Sequence, residues 1–218
     1  MGIEAAIVMI AFVIVAAALA FVVLNMGFST TQKAKTAIIS SYTEASSALE
    51  IAGKVTGIGY ISPGVLNATI IPLKIAGGGI SVSLNPNETS VAYYSNTVRY
   101  DNILANKCVL TSATYNNVTG ALNAAVTASC ISAAPISGAT TVGAPTETRA
   151  VIYWDVSNTP INDILEQGEH AELVIAYDSA DRPGELDNLK AEIDVPTGSA
   201  LTVERQVPSV TTNIVDLG

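Results

Sequence analysis

Apolar and polar positions alternate in two different rhythms along the chain. From Ala5 to Leu24 all twenty residues are Ala, Val, Ile, Leu, Met or Phe, and no charge falls between Glu4 and Lys33. Twenty such residues at about 1.5 Å each make roughly 30 Å of helix, the thickness of a bilayer's hydrocarbon core. Residues 28–52 keep a helical period, with Phe28, Ala34, Ile38, Tyr42, Ala45, Leu49 and Ala52 at mostly three- to four-residue steps among Lys, Thr, Ser and Glu. Gly53 is placed to cap this helix, and the Gly57–Gly59 stretch ends it. From about Val55 the period becomes two. Strands are predicted over Ala68–Ile75, Ile80–Leu84, Ser90–Tyr94, Ala150–Val156, Glu172–Tyr177, Leu189–Val195 and Leu201–Val207. Turn signals separate them at Gly77-Gly78-Gly79, Asn85-Pro86-Asn87, Arg182-Pro183-Gly184 and Pro196-Thr197-Gly198.

These elements predict an α+β chain. A long N-terminal hydrophobic α-helix over 1–53 is followed, over 54–218, by an antiparallel immunoglobulin-like β-sandwich. The Ala/Thr/Ser/Gly-rich section 111–147 reads as surface loops. A single helix from Ile3 to Ala52 would be some 75 Å long, a length that suits a spine better than a compact domain. Its apolar run carries seven alanines, Ala5, Ala6, Ala11, Ala16, Ala17, Ala18 and Ala20. Small residues let helices approach closely, as in membrane bundles. The helix therefore reads as the core of a helix-bundle filament, with a plain membrane anchor as the alternative. Ile3, Glu4, Ile7, Ile10, Phe12, Ile14, Ala17, Phe21 and Leu24 are its candidate packing positions.

Charge sharpens this picture. The 218 residues hold 10 Lys+Arg and 19 Asp+Glu, for a net charge of −9. No basic field exists to hold a phosphate backbone, so no nucleic acid is expected as a partner. With 49% hydrophobic and 13% charged residues, the chain has ample surface to bury, and its composition is not that of a disordered segment. Residues 1–150 carry seven basic and six acidic side chains, and residues 151–218 carry three and thirteen. The last third is thus a solvated acidic surface.

Three N-glycosylation sequons, at Asn67, Asn87 and Asn117, place the part after the helix outside the cell. Cys108 and Cys130, the only cysteines, lie in the same stretch. They are read either as a disulfide, which an oxidising compartment favours, or as two buried thiols. Lys33 and Lys35, just after the apolar run, would by the positive-inside rule hold that side in the cytoplasm. A basic leader ahead of Met1, cut away after insertion, reconciles the two signals, and the helix would then stay in the mature chain. Glu4 is either an interfacial carboxylate favoured by the helix dipole or, in a filament core, the partner of a neighbouring subunit's α-amino group. At about 4 Å such a pair returns around 4 kcal/mol at an effective dielectric of 20.

Catalytic chemistry finds little footing. His170, the only histidine, stands at the entry to a strand in Gln-Gly-Glu-His-Ala, and reads as a turn residue. There is no G-x-S-x-G, CxxC, Walker or H-E-x-x-H motif. No enzymatic activity and no cofactor are expected. Asp178, Asp181, Glu185 and Asp187 cluster hard oxygen ligands, but Arg182-Pro183 interrupts any calcium-loop spacing, so a solvated loop is expected and no metal. Trp154 reads as core.

The opening GIEAAIVMIAFVIVAAALAFVVLNMGFSTTQKAK resembles the N-terminus of archaeal flagellins (archaellins), of crenarchaeal type, within the type IV pilin superfamily. The match is dense over residues 2–50, and the close from ALTVERQVP to Leu217-Gly218 is also similar. Residues 60–150 carry no family motif. The resemblance implies removal of a short basic leader by a prepilin-type signal peptidase. It implies polymerisation with identical subunits into an extracellular cell-surface filament, from a single-span membrane precursor. It also implies an archaellum assembly platform and motor ATPase at the membrane, and a filament rotated for swimming. A non-rotating adhesion pilus shares the same plan, and a membrane-anchored extracellular binding protein is the alternative of a different class.

Overall fold

In a computed structural model, residues 2–46, 49–136, 143–158 and 160–218 are described. They form two compact units, one ending at Tyr42 and one beginning at Thr43.

The first unit lies within a single helix, α1 (Gly2–Ser46), 45 residues or roughly 68 Å long. Ala, Leu and Met favour it intrinsically, and its many β-branched residues are tolerated because nothing crowds their side chains. Three threonines of its second half close onto the preceding turn. Thr30, Thr31 and Thr36 donate their hydroxyls to the carbonyls of Met26, Gly27 and Gln32 at 2.9, 2.8 and 3.0 Å. The helix was expected to run to Ala52 and instead stops at Ser46. Leu49–Ile51 pair as a strand, and Leu49, placed by period on the helical stripe, is buried in the β-domain. Three ladder-paired residues with an apolar anchor outweigh one more helical turn.

The second unit is a β-domain. Its strands in chain order are β1 (Leu49–Ile51), β2 (Thr56–Tyr60), β3 (Val65–Ile75), β4 (Val82–Ser83), β5 (Ser90–Tyr94), β6 (Arg99–Tyr100), β7 (Leu104–Thr114), β8 (Arg149–Val156), β9 (Ile164–Leu165), β10 (His170–Ala176), β11 (Asn188–Asp194), β12 (Leu201–Gln206) and β13 (Ile214–Asp216). One sheet has the order β13-β2-β3-β10-β8-β7, with β1 also on β3; a second has the order β12-β11-β5-β6. β4 and β9 form a separate two-stranded ribbon.

Alternation along the strands makes the two sheets a sandwich. Ile71, Leu73, Ile152, Trp154, Leu173 and Ile175 point inward from the larger sheet, and Val91, Tyr93, Ala191, Ile193 and Val203 from the smaller. A cavity of about 10 Å³ between the sheets, lined by Thr69, Ile71, Tyr93, Ile175, Tyr177 and Val203, shows that the faces meet. Trp154, Tyr93, Tyr153 and Tyr177 are its largest buried side chains. Tyr93 and Tyr177 stack tilted at 5.3 Å, and Thr69 Oγ1 and Tyr177 Oη lie 2.7 Å apart. All seven expected strands are present within a few residues of their expected limits. Every pairing is antiparallel except β7 with β8, which is parallel and broken by two shifts of register.

The section expected to be loops contains structure. Its first residues finish β7, and Val118–Thr127 form α2. Asn117 caps α2 by accepting from Gly120 N at 2.6 Å. Ala121, Leu122 and Ala125 form its buried face, against β7 and β8. There α2 covers the outer side of the larger sheet, where Val151, Tyr153 and Val174 would otherwise meet water. Residues 137–142 of the expected loop section lie outside the described residues.

Candidate functional site

The site is a surface rather than a pocket. The side chains of α1 are exposed on every side through Tyr42. Ile3 is 79% exposed, Phe12 73% and Phe21 70%, and Ile7, Ile10, Ile14 and Leu24 lie between 60% and 63%. Ala17 is equally open, and so is Glu4, the acidic residue of the first turn. Fourteen large apolar side chains lie between Ile3 and Leu24. At about 1.5–3 kcal/mol for each one buried, tens of kcal/mol separate this helix in water from the same helix in an apolar surrounding. A globular protein would turn one stripe to its core. Here no face is polar until the Ser/Thr/Lys stretch, so the helix suits lipid or a bundle of its own kind. Over Gly2–Tyr42 it is long and apolar enough to cross a membrane. Met1, expected as the mature end, lies outside the described residues.

The three sequons fall in different surroundings. Asn67 is wholly buried in β3, and its side-chain amide has no hydrogen-bond partner among the described residues. It was expected to carry a glycan, and the fold corrects this. Its side chain is wholly closed to solvent, so a sugar has no room there. Asn87 is exposed in the turn after β4, where its Nδ2 donates to Asn85 Oδ1 at 2.9 Å. Asn117 is exposed at the start of α2 and uses only Oδ1 for its cap, which leaves Nδ2 for a sugar. Cys108, on β7, is bonded to Cys130, just past α2. The bond holds the end of the cover helix to an edge strand, and the reading as two free thiols is set aside.

The acidic cluster comes apart in space. Asp181 is buried and accepts from Tyr100 Oη at 2.8 Å and Thr148 Oγ1 at 2.6 Å, which clasps β6 to the start of β8. Asp187 instead binds Gly184 N and Asn96 Nδ2. Among the described residues, no three acidic, histidine or cysteine side chains gather as a metal site. His170 is exposed at the start of β10. The other buried carboxylate, Glu169, accepts from Ser157 Oγ, Asn158 N and Glu166 N and so pins the loops after β8. Sequence reasoning named neither this clasp nor the pair in which Tyr153 Oη donates to Glu172. Burial, then the bond to Glu172, pushes the Tyr153 hydroxyl up; burial likewise raises Glu172, against the pull of that bond. These groups hold loops and sheets together.

The β-domain buries a core of its own, and the helix over residues 5–24 is apolar on every side. Comparison with known proteins gives the family. The sequence model of archaeal-type flagellin matches residues 1–205. Probable flagellin 1 of Aeropyrum pernix is 38% identical over 208 residues, 95% of this chain and 91% of that one. Flagellin FlaB2 of Saccharolobus shibatae is 37% identical over 105 residues, 47% of this chain and 34% of that one. The fold is similar to the subunit of the archaeal flagellum of Methanospirillum hungatei, with a TM-score of 0.58 at 22% identity, over 100% of this chain and 99% of that one. It is also similar to flagellin FlaB1 of Methanocaldococcus jannaschii, with a TM-score of 0.57 at 12% identity, over 78% and 95%. The chain belongs to the archaeal-type flagellin family.

Proposed function

We propose that the chain is the structural subunit of an archaellum filament, the helical propeller that an archaeal cell rotates to swim. The observation that carries this reading is the helix, which leaves fourteen large apolar side chains between Ile3 and Leu24 without cover in a chain of the flagellin family. Before assembly the helix lies in the membrane as a single span, after a prepilin-type peptidase has removed a basic leader. In the filament it packs among copies of itself, through Ile3, Ile7, Ile10, Phe12, Ile14, Ala17, Phe21 and Leu24. The move exchanges one apolar surrounding for another, so tight packing at the alanines rather than the hydrophobic effect drives it. Glu4 enters that dry core and pairs with the α-amino group of a neighbour. The β-domains form the outer surface, with glycans on Asn87 and Asn117. A membrane platform and motor ATPase would assemble and turn the filament.

The test is on living cells with surface filaments labelled fluorescently, beside a deletion of this gene. Filaments that rotate and vanish with the gene establish the reading. Filaments that vanish with the gene but never rotate while the cells swim make it an adhesion pilus. A deletion that removes no filament leaves an anchored surface protein in its place.

A further inference from the structure

The turn that carries Asn87 is held more firmly than an exposed sequon requires. Glu88 N and Thr89 N donate to Asn85 O at 2.9 and 2.8 Å, and Thr89 Oγ1 donates to Ser83 O at 2.7 Å. Asn85 Oδ1 accepts from Asn87 Nδ2 at 2.9 Å, while Asn85 Nδ2 donates to Asp163 Oδ2 at 2.5 Å. Asn85 thus links the sequon amide to the loop before β9. A glycosylated amide keeps one N–H, so the link survives the modification.

Asp163 lies in a groove of about 340 Å³. Pro86, the residue before Asn87, lines it together with Asn162 and with Lys107, Val109 and Thr111 of β7. Among the described residues, Lys107 is the one Lys or Arg of the β-domain without a partner. Five others form ion pairs, Arg182 lies over the Tyr60 ring, and Arg205 donates to Gly218 O. The Lys107 φ of 73° is a left-handed conformation that a long side chain rarely adopts. Its neighbour Cys108 is buried and cross-linked to Cys130, which fixes the strand at that point. Rare conformations held in place by their surroundings gather at binding sites.

The groove combines groups that suit a sugar. The Lys107 ammonium donates, Asp163 Oδ1 and the Thr111 hydroxyl accept, and Pro86 and Val109 give apolar surface to the C–H face of a ring. We propose that the groove seats sugars of the glycan carried by Asn87, with Lys107 as their principal hydrogen-bond donor. A free sugar would bind such an open site weakly, but a tethered one is present at an effective concentration on the order of millimolar. Seated there, the glycan lies along β7, which ends its sheet and pairs only with β8. A covered edge strand is blunted against pairing with other chains. The inference rests on glycosylation of Asn87 and goes beyond it by giving the glycan a seat on the protein.

The test is hydrogen exchange on the full chain from its native host, dispersed in detergent, beside the same chain made in a bacterium that adds no glycan. Amides of residues 107–111 are expected to exchange several-fold more slowly in the glycosylated chain. Lys107→Gln should keep the glycan by mass spectrometry yet lose most of that protection. Thr119→Ala, which removes the sequon at Asn117, should leave the protection unchanged. Asn87→Gln should lower the melting temperature by a few degrees in wild type and leave it unmoved in the Lys107→Gln background. A glycan on Asn87 that adds no protection at 107–111, or protection that survives Lys107→Gln, refutes the groove contact and leaves glycosylation of Asn87 standing. A native chain with no glycan on Asn87 refutes both and leaves the filament reading untouched.

Discussion

Replacing Cys108 and Cys130 together by alanine isolates what the cross-link does. The bond closes a loop with a sequence separation of 22, from the middle of β7 to the second residue after the α2 C-cap Ala128. Each alanine removes only one sulfur from a buried site, so the void left is small and the main effect falls on the unfolded chain. Loop-closure entropy for such a length gives about 3 kcal/mol of stabilisation. For a domain of this size 1 kcal/mol shifts the melting temperature by about 2–4 °C, so the variant should melt about 6–12 °C below wild type. The assay is thermal unfolding of the detergent-solubilised full chain, followed by near-ultraviolet circular dichroism, with a phosphine-reduced wild type alongside. Hydrogen exchange separates two origins of the loss. Cys130 N still donates to Ala125 O, and Ala121, Leu122 and Ala125 still face β7 and β8, so the α2 amides should stay protected at low temperature. A drop of a degree or less would refute the loop-length reasoning. Loss of protection confined to α2, with the melting temperature unmoved, would mean that the bond retains only a local cover.

Thr119→Ala removes the third sequon without touching the cap, so mass spectrometry should find the glycan at Asn117 gone and stability unchanged; Asn117→Ala should lose the glycan and also about 1 kcal/mol in denaturant unfolding. Gly59→Ala should destabilise strongly or abolish folding, because its Cβ would meet Thr212 O at 2.3 Å and Val210 Cγ1 at 2.8 Å; calorimetry that finds the variant as stable as wild type would show that β13 shifts at no cost. Burial raises the Glu172 carboxyl above its ordinary value, so the folded chain holds that proton more tightly than the unfolded chain. This contribution is complete at pH below the ordinary glutamate range and is lost as pH rises through the folded value, and melting curves of Glu172→Gln across that window should be flatter than those of wild type.

The long helix and most of the sandwich were legible because each is written in a single period. Val82–Leu84, Ser90–Tyr94 and Leu201–Val207 alternate because one face of each meets core and the other water, whereas Ile80, in step with them in sequence, is exposed. What escaped had its pattern set by tertiary contact. Leu49–Ile51 continues the helical stripe in sequence, yet pairing with Leu73–Ile75 claims it. Alanine-rich α2 carries a weak apolar face, since its packing relies on close approach over Tyr153 and on the bond at Cys130, neither of which has a periodic signature. β7 is interrupted by Lys107 at φ 73° and two register shifts, which disrupt alternation. Of the site, the exposed helix was evident from composition alone. Which asparagine faces solvent was not, because Asn67 and Asn117 differ only in the strand and the helix start that hold them.

The three threonines that fold their hydroxyls back onto α1 bear on how fast a subunit can change its surroundings. A hydroxyl that depended on water or on a lipid headgroup would have to surrender that partner at each stage, and the helix would wait on an activated solvent exchange. Thr30, Thr31 and Thr36 take their partners with them, so at these three positions the helix presents an already bonded hydroxyl to whatever surrounds it. In the assembly proposed above, the passage from membrane to bundle would therefore break no hydrogen bond at these three positions.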